Sequence, residues 1–284
     1  MRPSLAPILR RIVLVALLAG CAAPRPDVEI LPSPGRGADF WPRWRGPTGQ
    51  GVVDDGHEYT SRWSPTINVL WKAEVEGFGF SSPVVWHDRV FLTTASPGPD
   101  GFWPADGGDR RWVLCFDRAD GTLLWKTEVP AARPEKTNPH NGHASSTPAT
   151  DGERVYAYFG NHGLLALDFD GNIVWHRELG PFNAFQGTAA SPLLHGDKVI
   201  ISQDHRGPSG SFIAAFDKTT GEPIWRTERS AEVGWGSPVA IRAWGREQIV
   251  LSGSHEVISY EPETGEEIWR ASGTTVETIP TPVV

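Results

Sequence analysis

The chain of 284 residues is poor in sulfur, with two cysteines and one methionine, and it has no block of basic residues beyond the pairs Arg10-Arg11 and Arg110-Arg111. Formal charge is −8, from 26 basic and 34 acidic residues. A phosphate-neutralising surface has nothing to be built from, which excludes nucleic-acid binding as a primary role. Helical periodicity is missing as well, and the one continuous apolar run, Ile12 to Ala19, is too short to span a bilayer. With two cysteines 94 positions apart, no disulfide framework can be argued. What the chain has in abundance is Gly (31), Pro (25) and Trp (13). That mixture fits a turn-rich all-β protein with enough apolar surface for a sizeable core.

Residues 1–20 follow the order of an export signal, with Arg2, Arg10 and Arg11, then the apolar run, then small residues. The sequence Leu18-Ala19-Gly20-Cys21 resembles the bacterial lipobox, whose cysteine becomes the acylated first residue of the mature protein. The resemblance implies a signal peptide over 1–20, lipidation at Cys21, a Pro-rich tether over 21–40 and a membrane-anchored protein of the periplasm or cell surface. General secretion and a twin-arginine route both remain open. Without residues 1–20 the chain carries 23 basic and 34 acidic residues, a formal −11. Cys115, in the apolar stretch Val113-Leu114-Cys115-Phe116, reads as a small core residue.

Internal repetition decides the fold class. Asp117 to Trp125 (DRADGTLLW), Asp217 to Trp225 (DKTTGEPIW) and Glu261 to Trp269 (EPETGEEIW) are copies of one motif, and Asp168 to Trp175 (DFDGNIVW) is a shortened one. In each, Trp125, Trp175, Trp225 or Trp269 stands four residues after Gly121, Gly171, Gly221 or Gly265. A second element, Ser82-Pro83, recurs as Thr147-Pro148, Ser191-Pro192, Ser237-Pro238 and Thr281-Pro282. Each period reads as four short strands; the third gives Ser191–Leu194, Lys198–Gln203, Phe212–Asp217 and Pro223–Glu228. Four strands per repeat of this length predict an all-β propeller in which each blade buries its faces against its neighbours. The Gly accepts a positive φ in the turn, and the Trp offers a wide ring to the next blade.

Ala215 to Trp225 resembles the tryptophan-docking repeat of the pyrroloquinoline-quinone (PQQ) type propellers. Trp41-Pro-Arg-Trp44-Arg45-Gly46-Pro47, Asn68 to Lys72 and Ser81 to Val85 resemble the opening of secreted PQQ-like repeat proteins. The likeness covers residues 41–284 and implies seven or eight blades. Only four whole blades can be counted. Asn68 to Val75, with Trp71, reads as the outer strand of a closing blade, and Ile279 to Val284 as the inner strand of a fifth, so the propeller region is expected to be incomplete.

Spacing between repeats places two insertions, Ser96 to Arg111 and Pro130 to Gly142, on one face of such a propeller. That face also collects Phe78, Phe80, His140, Asn141, His143, His162, Phe185, Gln186, Asp204, His205, Arg206, Trp235, His255 and Glu277, a mixture that suits a polar ligand. His140, Asn141, His143, His162, Gln186, His205, Trp235 and Glu277 are the candidate ligand residues. His140, His143 and His162 could ligate a metal but complete no recognisable spacing, and loop histidines bonding backbone at the pore rim are the preferred reading. Two functions follow from the resemblance. One is a non-catalytic, lipid-anchored scaffold that binds an envelope or periplasmic protein or a small polar ligand, similar to the propeller lipoprotein of outer-membrane assembly. The other is an alcohol or sugar dehydrogenase using PQQ and calcium, with an Asp as base and an adjacent Cys-Cys pair on the quinone. This sequence has no adjacent Cys pair, no Gly-x-Ser-x-Gly elbow and no assigned catalytic residue, so the scaffold is the expectation and no cofactor is expected with it.

Overall fold

The computed structural model describes residues 27–53, 56, 58–96, 110–130, 141–182, 186–206 and 210–284. Four antiparallel sheets follow one another along the chain, each ordered by sequence from its first strand to its fourth. Blade one is Val84–Trp86, Arg89–Ala95, Arg111–Asp117 and Leu123–Glu128. Blade two is Ala149–Thr150, Arg154–Tyr158, Leu164–Asp168 and Ile173–Arg177. Blade three is Leu193–His195, Lys198–Gln203, Ser211–Asp217 and Pro223–Arg229. Blade four is Val239–Ala243, Arg246–Gly253, Glu256–Tyr260 and Glu267–Ser272. First strands of consecutive blades lie against each other, so the four form an arc around an axis with the fourth strands outermost. This is the propeller arrangement, with strand limits within two residues of those read for the third repeat. Among the described residues the only helical turns are of the 3-10 kind, at Gly35–Asp39 and Gly160–His162, and no helix is long and apolar enough to cross a membrane.

The middle strands are apolar on both faces because each blade is covered on two sides. Phe91, Val113 and Cys115 of blade one pack with Val155, Leu165 and Leu167 of blade two. Tyr156 and Leu164 meet Val199 and Phe212 across the next boundary, and Ile200 and Ile213 meet Ile249 and Ile258 across the third. Cys115 is fully buried, and burial raises its thiol pKa to about 11, which leaves it a protonated, unreactive core residue.

The repeated Trp and Gly are joined from blade to blade. Trp125 Nε1 donates to the Phe169 carbonyl (2.9 Å), Trp175 to Lys218 (3.1 Å) and Trp225 to Pro262 (2.9 Å). Their rings lie flat against Gly171, Gly221 and Gly265 of the following blade, where a Cβ would have no room. Trp71 treats Gly121 the same way and donates to Arg118 O at 2.8 Å, so residues around it occupy the outer-strand position of a blade preceding the first. Trp269 differs. No described blade follows it, and its indole N–H turns to Gln248 Oε1 of its own sheet at 2.8 Å.

At the inner edge the Ser/Thr-Pro repeats form a second set of links. The backbone N–H of Ser82 donates to Thr147 Oγ1 (2.9 Å), that of Thr147 to Ser191 Oγ (3.0 Å), that of Ser191 to Ser237 Oγ (2.9 Å) and that of Ser237 to Thr281 Oγ1 (3.4 Å). A short side chain with one acceptor reaches the neighbouring blade's amide, and the proline that follows needs no N–H partner of its own.

The packed chain starts earlier than the Pro-rich composition of residues 21–40 led us to expect. Val28–Ile30 adds a fifth strand to blade four, antiparallel to Val239–Ala243 on its inner side. From there the chain crosses the hub. Leu31 N donates to Ala240 O, Trp41 pairs with Val85 of blade one, and Thr150 N of blade two donates to Pro42 O. Gln50 closes the crossing by donating to Pro282 O at 3.3 Å and accepting from Val284 N at 3.2 Å. Three residues are too short a strand to announce themselves in composition, and the ladder partner lies more than 200 positions away.

Candidate functional site

Topology puts the loops between second and third strands, together with the crossovers between blades, on one face. Most of both insertions (97–109 and 131–140), His140, Phe185 and Cys21 lie outside the described residues. Asn141 and Gln186 come together in adjacent crossovers, where Asn141 Nδ2 donates to the Gln186 carbonyl while its Oδ1 accepts from Gly142 N at 2.9 Å. Trp235 Nε1 donates to Gly187 O at 2.9 Å, and Trp235 N to Thr278 O. His143 and His162 are buried in the loop packing, and His205 meets the edge of Phe182 at 6.1 Å. Glu277 is held at the surface by Arg206, 3.6 Å away.

Behind the surface lies a chamber of about 240 Å³. Its walls include Asn141, Ser145 and Trp235 from the crossovers, Trp44 from the hub segment, Phe80 from the approach to blade one, and Ile279, which follows the last strand, Glu277–Thr278. The inner strand expected over Ile279 to Val284 is not formed, because no partner strand is present among the described residues to pair with it. Trp44, Ser191, Ser237 and Thr281 also border a second, much smaller cavity of about 10 Å³ against Arg43 and Gly49. The Ser/Thr-Pro residues and Trp44 had been read as repeat and family markers. Their position next to a cavity follows from their place on the inner strands, and the recurring hydroxyl before proline is the signal that could have found them.

A broader cavity than the chamber lies on the opposite face. A groove of about 860 Å³ runs between the turns of blades one and two, lined by Phe40, Trp86, His87, Arg118, Gly152 and Phe169. Phe40 from the hub segment stacks obliquely on Trp86 at 4.7 Å. Length was added to the chain on one face, and a concavity broader than the chamber opened on the other.

The buried pair of Arg229 and Asp204 is well matched. Arg229 grips Asp204 with two bonds, Nε to Oδ1 at 2.8 Å and Nη2 to Oδ2 at 3.1 Å, and also donates to the Tyr260 hydroxyl. Burial comes first in raising the Tyr260 pKa, to about 12, so the phenol stays protonated. Among the described residues no three His, Cys, Asp or Glu side chains converge to hold a metal ion, and residues 28–50 run along the inner edges of blades one, two and four.

An arc of Trp-docked, four-stranded blades defines a propeller of PQQ-like repeats. The chain belongs to the family described as outer membrane protein assembly factor BamB, whose profile matches residues 52–202 and 209–283. It is similar to methanol dehydrogenase [cytochrome c] subunit 1 of Methylorubrum extorquens, 26% identical over 192 residues, covering 58% of this chain and 30% of the relative. It is also similar to BamB of Salmonella typhimurium, 27% identical over 121 residues, covering 42% and 28%. The chain thus spans about a third of the length of these curated relatives. Among solved structures, a quinohemoprotein alcohol dehydrogenase from Comamonas testosteroni superposes with a TM-score of 0.48 at 16% identity, over 72% of this chain and 36% of the other. BamB from Moraxella catarrhalis gives 0.38 at 16%, over 71% and 64%.

Proposed function

We propose that the protein is an exported, lipid-anchored scaffold of the cell envelope that binds a periplasmic or envelope partner without chemical turnover. The observation that carries this reading is the hub. Residues 28–50 hydrogen-bond to the inner strands of blades one, two and four, so the axial position is taken by the chain's own segment. The relatedness to BamB supports an envelope role, and the lipobox-like Leu18 to Cys21 supports anchoring. Binding is assigned to the face carrying the crossovers, where long loops rise from a rigid sheet framework. Likeness to methanol dehydrogenase favours the second reading, a PQQ-dependent dehydrogenase.

The test uses the full-length protein. PQQ with calcium should neither shift its melting temperature nor support dye-linked oxidation of alcohols or sugars, and Cys21→Ser should release it from the membrane fraction. Replacing residues 97–109 with a short Gly-Ser link should weaken cross-linking to envelope proteins while the melting curve stays in place. PQQ-dependent dye reduction would replace the scaffold with the dehydrogenase.

A further inference from the structure

Arg43 is 4% exposed, yet its contacts do not account for its charge. Nη2 reaches the Pro47 carbonyl only at 3.4 Å, and Nε has no hydrogen-bond partner. No carboxylate among the described residues pairs with it, in contrast to Arg229, which has both oxygens of Asp204. Desolvation lowers its pKa to about 10, so it is still a cation at neutral pH. A buried cation without a counter-charge is costly, and a fold keeps one where something supplies the charge.

The surroundings of Arg43 are donors too. The small cavity beside it is bordered by Ser191, Ser237 and Thr281. Each of these hydroxyls accepts from the amide of the preceding blade and keeps its O–H proton to donate. A guanidinium and three hydroxyls border one space with no acidic side chain in its wall, so the recess is rich in donors and its only full charge is positive. Gly49 forms part of the wall, where a Cβ would lie 3.1 Å from Arg43 Nη1.

Room decides what enters. The recess, at about 10 Å³, admits about one oxygen atom. A tetrahedral inorganic anion does not fit inside it whole. The neighbouring chamber of about 240 Å³ shares Trp44 and the three hydroxyl residues, and adds Phe80 and Trp235. Aromatic walls give an inorganic ion nothing but offer an organic body a surface to lie on.

We infer that the hub is a carboxylate-binding site, in which one carboxylate oxygen enters the recess against Arg43 and the hydroxyls of Ser191, Ser237 and Thr281 while the rest of the ligand occupies the aromatic chamber. The carboxylate belongs to a small organic acid or to an acidic side chain of a polypeptide; the chemistry is the same. This site lies beneath the crossovers, and it stands whether or not the scaffold role does.

Calorimetric titration and thermal melting of the full chain test it, with sodium benzoate, benzamide, a short Asp-rich peptide and sodium chloride at matched ionic strength as probes. Benzoate should bind saturably and raise the melting temperature, and benzamide and chloride should do neither. Arg43→Gln should weaken benzoate by about tenfold or more, and Thr281→Val, which removes one donor, by about threefold to tenfold. If Arg43→Gln does not fold, Thr281→Val and the contrast between benzoate and benzamide carry the test. Displacement of benzoate by the peptide assigns the carboxylate to a polypeptide side chain, and benzoate binding that the peptide leaves untouched assigns it to a free acid. The inference is overturned by equal responses to benzoate and benzamide, by undiminished benzoate affinity in a folded Arg43→Gln protein, or by no wild-type response to either carboxylate probe.

Discussion

Gly221→Ala isolates the cost of filling the seat on which Trp175 rests. Gly221 has φ +71°, and an added Cβ would lie 2.6 Å from the indole of Trp175. Placing alanine in the left-handed region costs about 1–2 kcal/mol. Displacing the ring adds about 1–3 kcal/mol of overpacking and about 1 kcal/mol for the bond from Trp175 Nε1 to Lys218 O. The expected total is about 3–6 kcal/mol. Gly196 supplies an internal control, because it has φ +58° and a Cβ there meets nothing within 4 Å, so Gly196→Ala should show the backbone cost alone. Urea denaturation followed by far-ultraviolet circular dichroism measures both, with unchanged m values as the check that two-state analysis holds. In a Trp175→Ala background the steric part vanishes, and Gly221→Ala should fall to about 1–2 kcal/mol, a coupling of about 2–4 kcal/mol. Equal costs at Gly221 and Gly196, or no change of cost in the Trp175→Ala background, would refute the docking argument.

Asp204→Asn strands the buried Arg229 guanidinium, whose side chain is 1% exposed, and should cost about 3–5 kcal/mol in urea denaturation, whereas Asp204→Leu with Arg229→Met should recover most of that loss. Burial lowers the His195 pKa despite Glu247 at 3.2 Å, so the folded state prefers the neutral ring. That contribution is full above the unfolded value of about 6.5 and is lost as pH falls below it; His195→Gln should flatten the decline in melting temperature between about pH 7 and pH 5. Ser237→Ala removes the acceptor of the buried Ser191 amide and should cost about 1–3 kcal/mol with faster hydrogen exchange at Ser191, whereas Ser237→Thr, the residue blade two uses at Thr147, should preserve both.

The blades were legible because their signals are local and repeated. A Gly and a Trp four apart fix the turn and the strand after it, and Lys198–Gln203 is apolar enough to name itself as a strand covered on both faces. Trp269 showed the limit of that logic, since a repeat predicts a docking ring only where the following blade's Gly is present to receive it. The site was much less legible. Histidines 143 and 162 carry the residue types that suggest a ligand, but they are buried in the loop packing. The walls of the chamber come from residues as far apart as Trp44, Asn141, Trp235 and Ile279. Their convergence depends on the arc closing around the hub, which no window of sequence contains. Arg43 was hidden differently: its meaning lies in the partners it does not have.

The hub crossing also sets an order of events for a chain made from its N-terminus. Neighbouring blades find each other through bonds between residues about 44 apart, as with Thr147 and Ser191, so each can settle as soon as the next emerges. Residues 28–50 cannot. Glu29 meets Arg242 across 213 positions, and Gln50 meets Pro282 across 232. Closing such loops costs little more entropy than closing shorter ones, since the cost grows only with the logarithm of length, but the partners must exist first. The segment that leaves the ribosome ahead of every blade can pair early with blades one and two through Trp41 and Pro42, but it completes its docking only after all four are built, and until then the inner edge of blade four stands open to whatever else can pair with it.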